Sequence, residues 1–282
     1  MKIAVVGGTG VLGSQVVPRL MERGNQVRLI VRNPEKARLL QRIGMEAVLG
    51  DIFDQESLFS GVKGCDAALH LATAVPRPGQ PQDWSLNDRI RRDGTRILLA
   101  ACETNGVQRY IQQSVALLYG DCGARIVDED EVLKPGPVTQ SAFDMETFVK
   151  SSSLDWCILR GGLFYGHKTG RGDDWRSGAL RGTLIIPEEG KALISLVHVV
   201  DMARAVVMAV EGAPARSIYN VVDDLPVSFG ELFRYLAAQV DATEPQTGGE
   251  AFLPSLGCSN ARIKEDLGWR PMLASYRSGL AA

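Results

Sequence analysis

The chain has 282 residues, 45% hydrophobic and 23% charged, ordinary globular proportions that exclude collagen-like, low-complexity and disordered chains. At roughly 150 residues per domain this length predicts about two domains. With 31 Lys and Arg against 33 Asp and Glu the formal charge is -2, so no surface-wide field draws the chain to nucleic acid or anionic lipid, and a small molecule is the expected partner.

In chain order, Lys2 precedes an apolar run at 3–6 that stops at a glycine cluster, too short for a signal peptide. Short β-branched runs then alternate with amphipathic segments through residue 160, the pattern of βαβ units on a parallel sheet. Strands are predicted at 3–6, 26–31, 47–49, 67–71, 109–113 and 156–159, with helices over 11–23 and 89–103. Beyond Arg160 seven glycines, from Gly161 to Gly182, read as a loop that lies near the carboxyl ends of the strands and serves as a lid. A helix after His198, a strand at 218–222, a helix at 229–239 and a linker at 241–250 complete the chain. The expected architecture is α/β: a doubly wound parallel Rossmann sheet in 1–160, to which 192–222 adds, and a smaller C-terminal substrate domain from 161–191 and 223–282.

The five cysteines, Cys65, Cys102, Cys122, Cys157 and Cys258, are odd in number and lack a C-x-x-C pair, which speaks against a disulfide framework or a zinc site. The longest apolar stretch, 194–210, is broken by His198, Asp201 and Arg204 and cannot span a membrane. A cytoplasmic location is expected. The oligomeric state is open.

The strongest motif is Val5-Val6-Gly7-Gly8-Thr9-Gly10-Val11-Leu12-Gly13, a strand running into G-x-x-G-x-x-G and then a helix. Gly7 makes the tight turn, Gly10 admits a pyrophosphate to the backbone, and Gly13 lets the helix pack close to the sheet. The helix N-terminus then faces the phosphates. Where sheets that bind NAD carry an acidic residue at the end of the second strand, this chain has Arg32, which suits a 2'-phosphate through charge-assisted bonds. NADP is therefore the expected coenzyme, with NAD the alternative.

The glycine loop, Gly50-Asp51-Ile52, the block from Asp66 to Ala72, Asp93-Gly94-Thr95, Leu118-Tyr119-Gly120, Leu159-Arg160-Gly161 and the block from His198 to Ala203 together resemble the extended short-chain dehydrogenase/reductase family over nearly the whole chain. The resemblance implies that Thr9, Val11 and Leu12 join the three glycines around the diphosphate and that Asp51 and Ile52 flank the adenine. Leu71, Ala72 and Thr73 would line the sheet edge beside the nicotinamide ribose, with Ser114 nearby, and Gly162 and Leu163 would approach the carboxamide.

That family normally works through a Tyr, a Lys four residues later and a Ser or Thr, the Tyr acting as general acid or base. No Y-x-x-x-K occurs in this chain. Aligned on Glu146 and Arg160, Val138 stands at the Tyr place and Ala142 at the Lys place, and counting back four from Tyr119 puts Val115 at the Ser place with Ser114 just before it, as in members called atypical. The substitute acids considered are Tyr165 and His167, with Lys168 and Asp144 behind them. The adjacent pairs Asp173-Asp174 and Glu188-Glu189 diverge in direction, so no metal is expected. Arg77, Arg91 and Arg92 flank a Pro-rich segment where an acidic substrate could be gripped.

The expected activity is hydride transfer to a small organic molecule without the usual acid. A dinucleotide sensor that turns nothing over is the alternative. A sugar-nucleotide epimerase or dehydratase ranks last, because those relatives use the missing Tyr and Lys.

Overall fold

The computed structural model describes residues 1–76, 83–251 and 253–281. Its centre is a seven-stranded sheet in the order Ser217–Val221, Asp155–Gly161, β5 (Arg109–Val115), β4 (Ala67–His70), β1 (Lys2–Val6), β2 (Gln26–Val31), β3 (Glu46–Leu49). The pairings of β1 with β2 and β4, of β2 with β3 and of β4 with β5 are parallel. Ile3, Ala4 and Val5 have essentially no exposure, as expected of a strand covered on both faces. Strand order reverses between β1 and β4, and ligands of doubly wound sheets bind at that switch point, outside the carboxyl ends of the strands.

Helix α1 (Gly13–Glu22) buries Val16, Val17 and Leu20. Asn33 caps α2 (Pro34–Arg42) by accepting from the Lys36 amide, and Asp54 caps α3 (Gln55–Val62) by accepting from the Glu56 amide. The helix expected over 89–103 is instead α4 (Ser85–Arg89), one π-helical segment over Ile90–Gly94, and α5 (Thr95–Thr104). Helix α6 spans Gln140–Ser151.

The chain divides into two compact units. The first comprises Met1–Ser114, Gly136–Leu159 and Ala203–Ile218; Leu58, Val62, Leu98, Cys102, Val149 and Ile158 form the centre of its core. The second comprises Val115–Pro135, Arg160–Met202 and Tyr219–Ala282, with Tyr165, Ile186, Leu196, Phe229 and Leu232 at its centre. Residues 115–135, placed by the sequence reading with the Rossmann segment, fall in the second unit, where Ile126–Val127 pairs with Gly257–Cys258.

The glycine-rich stretch after Arg160 is not all loop. It holds a helix, Arg171–Leu180, bracketed by Gly170 and Gly182, both with positive φ; these glycines punctuate a helix at its ends. The linker expected at 241–250 contains a strand, Gln246–Gly249, paired with Ile185–Pro187. Asp201, in the first turn of the helix Val199–Gly212, is fully buried and accepts from the amides of Met272 at 2.8 Å and Leu273 at 2.9 Å, fastening the C-terminal segment of its unit.

All five cysteines are buried and unbridged. Burial pushes the Cys157 thiol up to about 11 and that of Cys258 up to about 12, which keeps both protonated and unreactive at neutral pH. No helix among the described residues is long and apolar enough to cross a membrane.

Candidate coenzyme site

At the end of β1 the chain turns through Gly7 with φ of 86°, and a Cβ there would lie 2.4 Å from the Ala72 nitrogen and 2.5 Å from the Leu71 carbonyl carbon. Only glycine fits where the two strand ends approach this closely. A Cβ on Gly13 would stand 2.3 Å from the Gly7 carbonyl oxygen and 2.5 Å from Gly8 Cα, so the first turn of α1 lies directly against the loop. Gly10 differs: it is exposed, and its Cβ would meet only the Gly7 oxygen, at 3.3 Å. Its outer side is open to a ligand. Gly8, given no role by the spacing, is also closely packed: a Cβ there would stand 2.5 Å from Leu29 Cδ2 and 3.2 Å from Val5 Cγ1, so core side chains would have to shift.

The start of α1 has no capping side chain and no acidic residue in its first turn. Amide groups left without partners and the positive end of the helix dipole make such a terminus receptive to phosphate. Thr9 and Val11 are half-buried in this turn, and Leu12 is buried. Arg32 is exposed immediately after β2. The Asp51 carboxylate accepts from the Phe53 amide at 2.9 Å, so it shapes its own turn, and Ile52 packs where a Cβ on Gly94 would intrude at 2.7 Å. Leu71 is buried, Ala72 half-buried and Thr73 exposed along the continuation of β4. The structure thus gathers Gly7, Thr9, Gly10, Val11, Leu12, Gly13, Leu71, Ala72 and Thr73 at one edge of the sheet, with Arg32, Asp51 and Ile52 on the ends of the next two strands.

Other site expectations fall differently. Ser114 is buried and its hydroxyl donates to Glu146 Oε1 at 2.8 Å, while Lys150 donates to Glu146 Oε2 at 3.1 Å. That hydroxyl is spent inside the protein. Gly162 and Leu163 belong to the second unit; the Gly162 amide donates to the Val221 carbonyl, and Leu163 lies in a strand paired with Leu196–His198. Tyr165 is wholly buried there, its hydroxyl donating to the Ser275 carbonyl at 3.3 Å, and burial raises its pKa well above the ordinary value. This geometry gives Tyr165 a packing role. His167 is exposed in a turn. Arg77 lies outside the described residues.

Around the place of the absent Tyr and Lys, Val138 is 45% exposed in the turn before α6, and Ala142 is buried. Burial pushes the Asp144 carboxyl up, but hydrogen bonds from Arg92 and Gln140 outweigh it and hold the group below its usual range, which suits an ion pair and not a proton donor. Burial takes His70 down to about 4, so it is neutral. Tyr119, from the Leu118-Tyr119-Gly120 block, receives a hydrogen bond from Arg160 and donates to Asn220, each at 2.8 Å. Two blocks remote in sequence are thereby joined in a buried structural link. Among the described residues no cluster of His, Cys, Asp or Glu could hold a metal ion.

A sheet edge with a glycine cradle at its switch point defines a dinucleotide-binding protein. Residues 7–182 match the NAD(P)H-binding family profile. The chain is 31% identical to the 3-diazoavenalumate denitrifying reductase of a Streptomyces species over 99% of both chains. It is 24% identical to the 4-hydroxy-2-methyl-3-oxo-4-farnesyl-3,4-dihydroquinoline-1-oxide ketoreductase of Stigmatella aurantiaca, over 99% of this chain and 84% of the other. Among solved structures, the dTDP-glucose 4,6-dehydratase of Streptomyces venezuelae, crystallised with NAD, shares the fold with a TM-score of 0.84 at 24% identity, over 100% of this chain and 95% of that one. The chain belongs to the NAD(P)H-binding family and is a short-chain dehydrogenase/reductase-like protein.

Proposed function

We propose that this protein is an NADPH-preferring reductase that delivers hydride to a small organic acceptor already electrophilic enough to need little acid assistance. The observation that carries the reading is an intact glycine cradle in a chain that has no Y-x-x-x-K, with Val138 and Ala142 taken to stand in place of the acid pair. The bound nicotinamide supplies the hydride. The chain's own residues bind and orient: Gly7 and Gly10 admit the diphosphate, the uncapped start of α1 receives it, and Arg32 grips the 2'-phosphate.

A positioned acid contributes roughly 10² to 10⁴ in rate, so simple ketones are poor acceptors here, whereas activated double bonds and cationic nitrogen groups are suitable ones. A diazo compound, the kind of substrate named for the Streptomyces relative, meets that requirement. The absence of the acid pair also favours a second reading, a sensor that binds the dinucleotide without turnover. Loss of NADPH absorbance with activated acceptors, and not with plain ketones, is the expected result; tight binding without oxidation of NADPH by any acceptor would favour the sensor.

Coenzyme choice has its own test. Arg32→Ala is expected to weaken NADPH binding by about 10- to 100-fold, the worth of a charge-assisted hydrogen-bond pair, and to leave NADH binding within about twofold. Fluorescence titration with both nucleotides reads the difference; an equal loss for both would remove Arg32 from the 2'-phosphate.

A further inference from the structure

The geometry points to Arg91 as the residue that receives an oxyanion of the substrate, either a carboxylate the substrate already carries or the oxygen on which negative charge gathers as hydride arrives. This rests on the reductase reading above and supplies what that reading lacks, a polar group at the place of the missing Tyr and Lys.

Arg91 sits in the π-helical segment Ile90–Gly94. Such widened turns redirect a side chain and recur at functional sites. The residue is only 6% exposed. Its Nη1 donates to the Val138 carbonyl and to Ser141 Oγ, each at 3.2 Å, gripping α6 and the turn before it at the very residues that bracket the absent Tyr and precede the absent Lys. Ser141 in turn donates to Asp88 Oδ1 at 2.6 Å. The cation is therefore clamped along one edge.

The other edge is open. Nε and Nη2 have no partner among the described residues, yet they are absent from the buried polar atoms left without one, so they reach solvent. The neighbouring arginines are each engaged: Arg89 lies over the Phe53 ring, Arg92 pairs with Asp144, and Arg96 pairs with Asp93. Arg91 has no carboxylate in direct contact among the described residues, only Asp88 reached through Ser141, and unlike Arg89 it has no aromatic face over it either. A buried guanidinium without a counter-ion is costly and selects for an anion, and its forked donors match the two oxygens of a carboxylate. Burial brings its pKa down to about 10, with Asp88 opposing, so it stays charged at neutral pH.

The test is calorimetric titration of benzoate, and of the uncharged benzamide, into protein saturated with NADP⁺, for the wild type, Arg91→Met and Arg91→Lys. Benzoate is expected to bind the wild type at millimolar concentration, at least about tenfold more weakly to R91M and at an intermediate level to R91K. Benzamide should not distinguish the three, and NADP⁺ affinity should stay within about twofold. With a turned-over acceptor, a carboxylate anchor shows as a raised KM in R91M, and a developing oxyanion as a lowered kcat. The proposal is overturned if benzoate fails to bind the loaded wild type, if it binds R91M equally, or if NADP⁺ affinity falls in step with it, which would mark Arg91 as a structural residue. Failure of the wild type to take up NADP⁺ would instead sink the reductase reading itself.

Discussion

Gly7→Ala is expected to abolish NADPH uptake and to lower the thermal midpoint of the protein. The added Cβ would stand 2.4 Å from the Ala72 nitrogen and 2.7 Å from Ala72 Cα, main-chain atoms that cannot swing aside as a flexible side chain does. The φ of 86° adds strain of about 1–3 kcal/mol for any residue with a Cβ. In a chain of this size each kcal/mol shifts the midpoint by about 2–4 °C, so a fall on the order of 5 °C or more is expected, with at least about a 100-fold loss of affinity. Gly10→Ala separates the two effects. Its Cβ meets only one oxygen, at 3.3 Å, so the fold should hold while the diphosphate is blocked. Scanning calorimetry and NADPH titration of both variants check this; full affinity in either would place the diphosphate elsewhere.

The second large effect is on stability, at Asp223. The residue is 2% exposed, and neither carboxylate oxygen has a hydrogen-bond partner of good geometry. Burial pushes its pKa up to about 8; the Leu225 amide eases the shift, and Asp224 and Asp201 add to it. Asp201 is itself held by the amides of Met272 and Leu273. Between about pH 4 and 8 the folded state keeps a proton on Asp223 that the unfolded chain has released, so stability falls as pH rises through this window and levels off above it. At about 1.4 kcal/mol per unit the full span is worth on the order of several kcal/mol. Asp223→Asn removes the slope. Urea midpoints at pH 5 and pH 9 should show the variant gaining on the wild type as pH rises, and parallel behaviour would contradict the assignment.

The part of the structure legible in the sequence is the part written in long periodic runs. All six strands predicted to residue 159 are placed within two residues at each end, and the glycine loop lies where its spacing put it, because each depends on local pattern and backbone need. The second unit is built largely from strands of two or three residues, such as Ile185–Pro187 and Leu163–Tyr165, too short for alternation to be read. The sequence marks Arg91 with Arg77 and Arg92 only as flanking a Pro-rich segment; nothing in its neighbours announces that a π-helical segment turns it inward onto Val138 and Ser141. Ser114 carries no sign of Glu146, 32 residues on, which takes its hydroxyl. Tyr165 drew notice by its place in a glycine-rich loop, and only tertiary packing shows that it fills a core.

The central claim is that a dinucleotide seats its diphosphate on the amino end of α1. Hydrogen exchange of the amides of residues 7–14, followed with and without saturating NADPH, tests it most directly. Strong added protection confined to this loop and the facing Leu71–Ala72 backbone is the predicted result; exchange unchanged at millimolar nucleotide would contradict it.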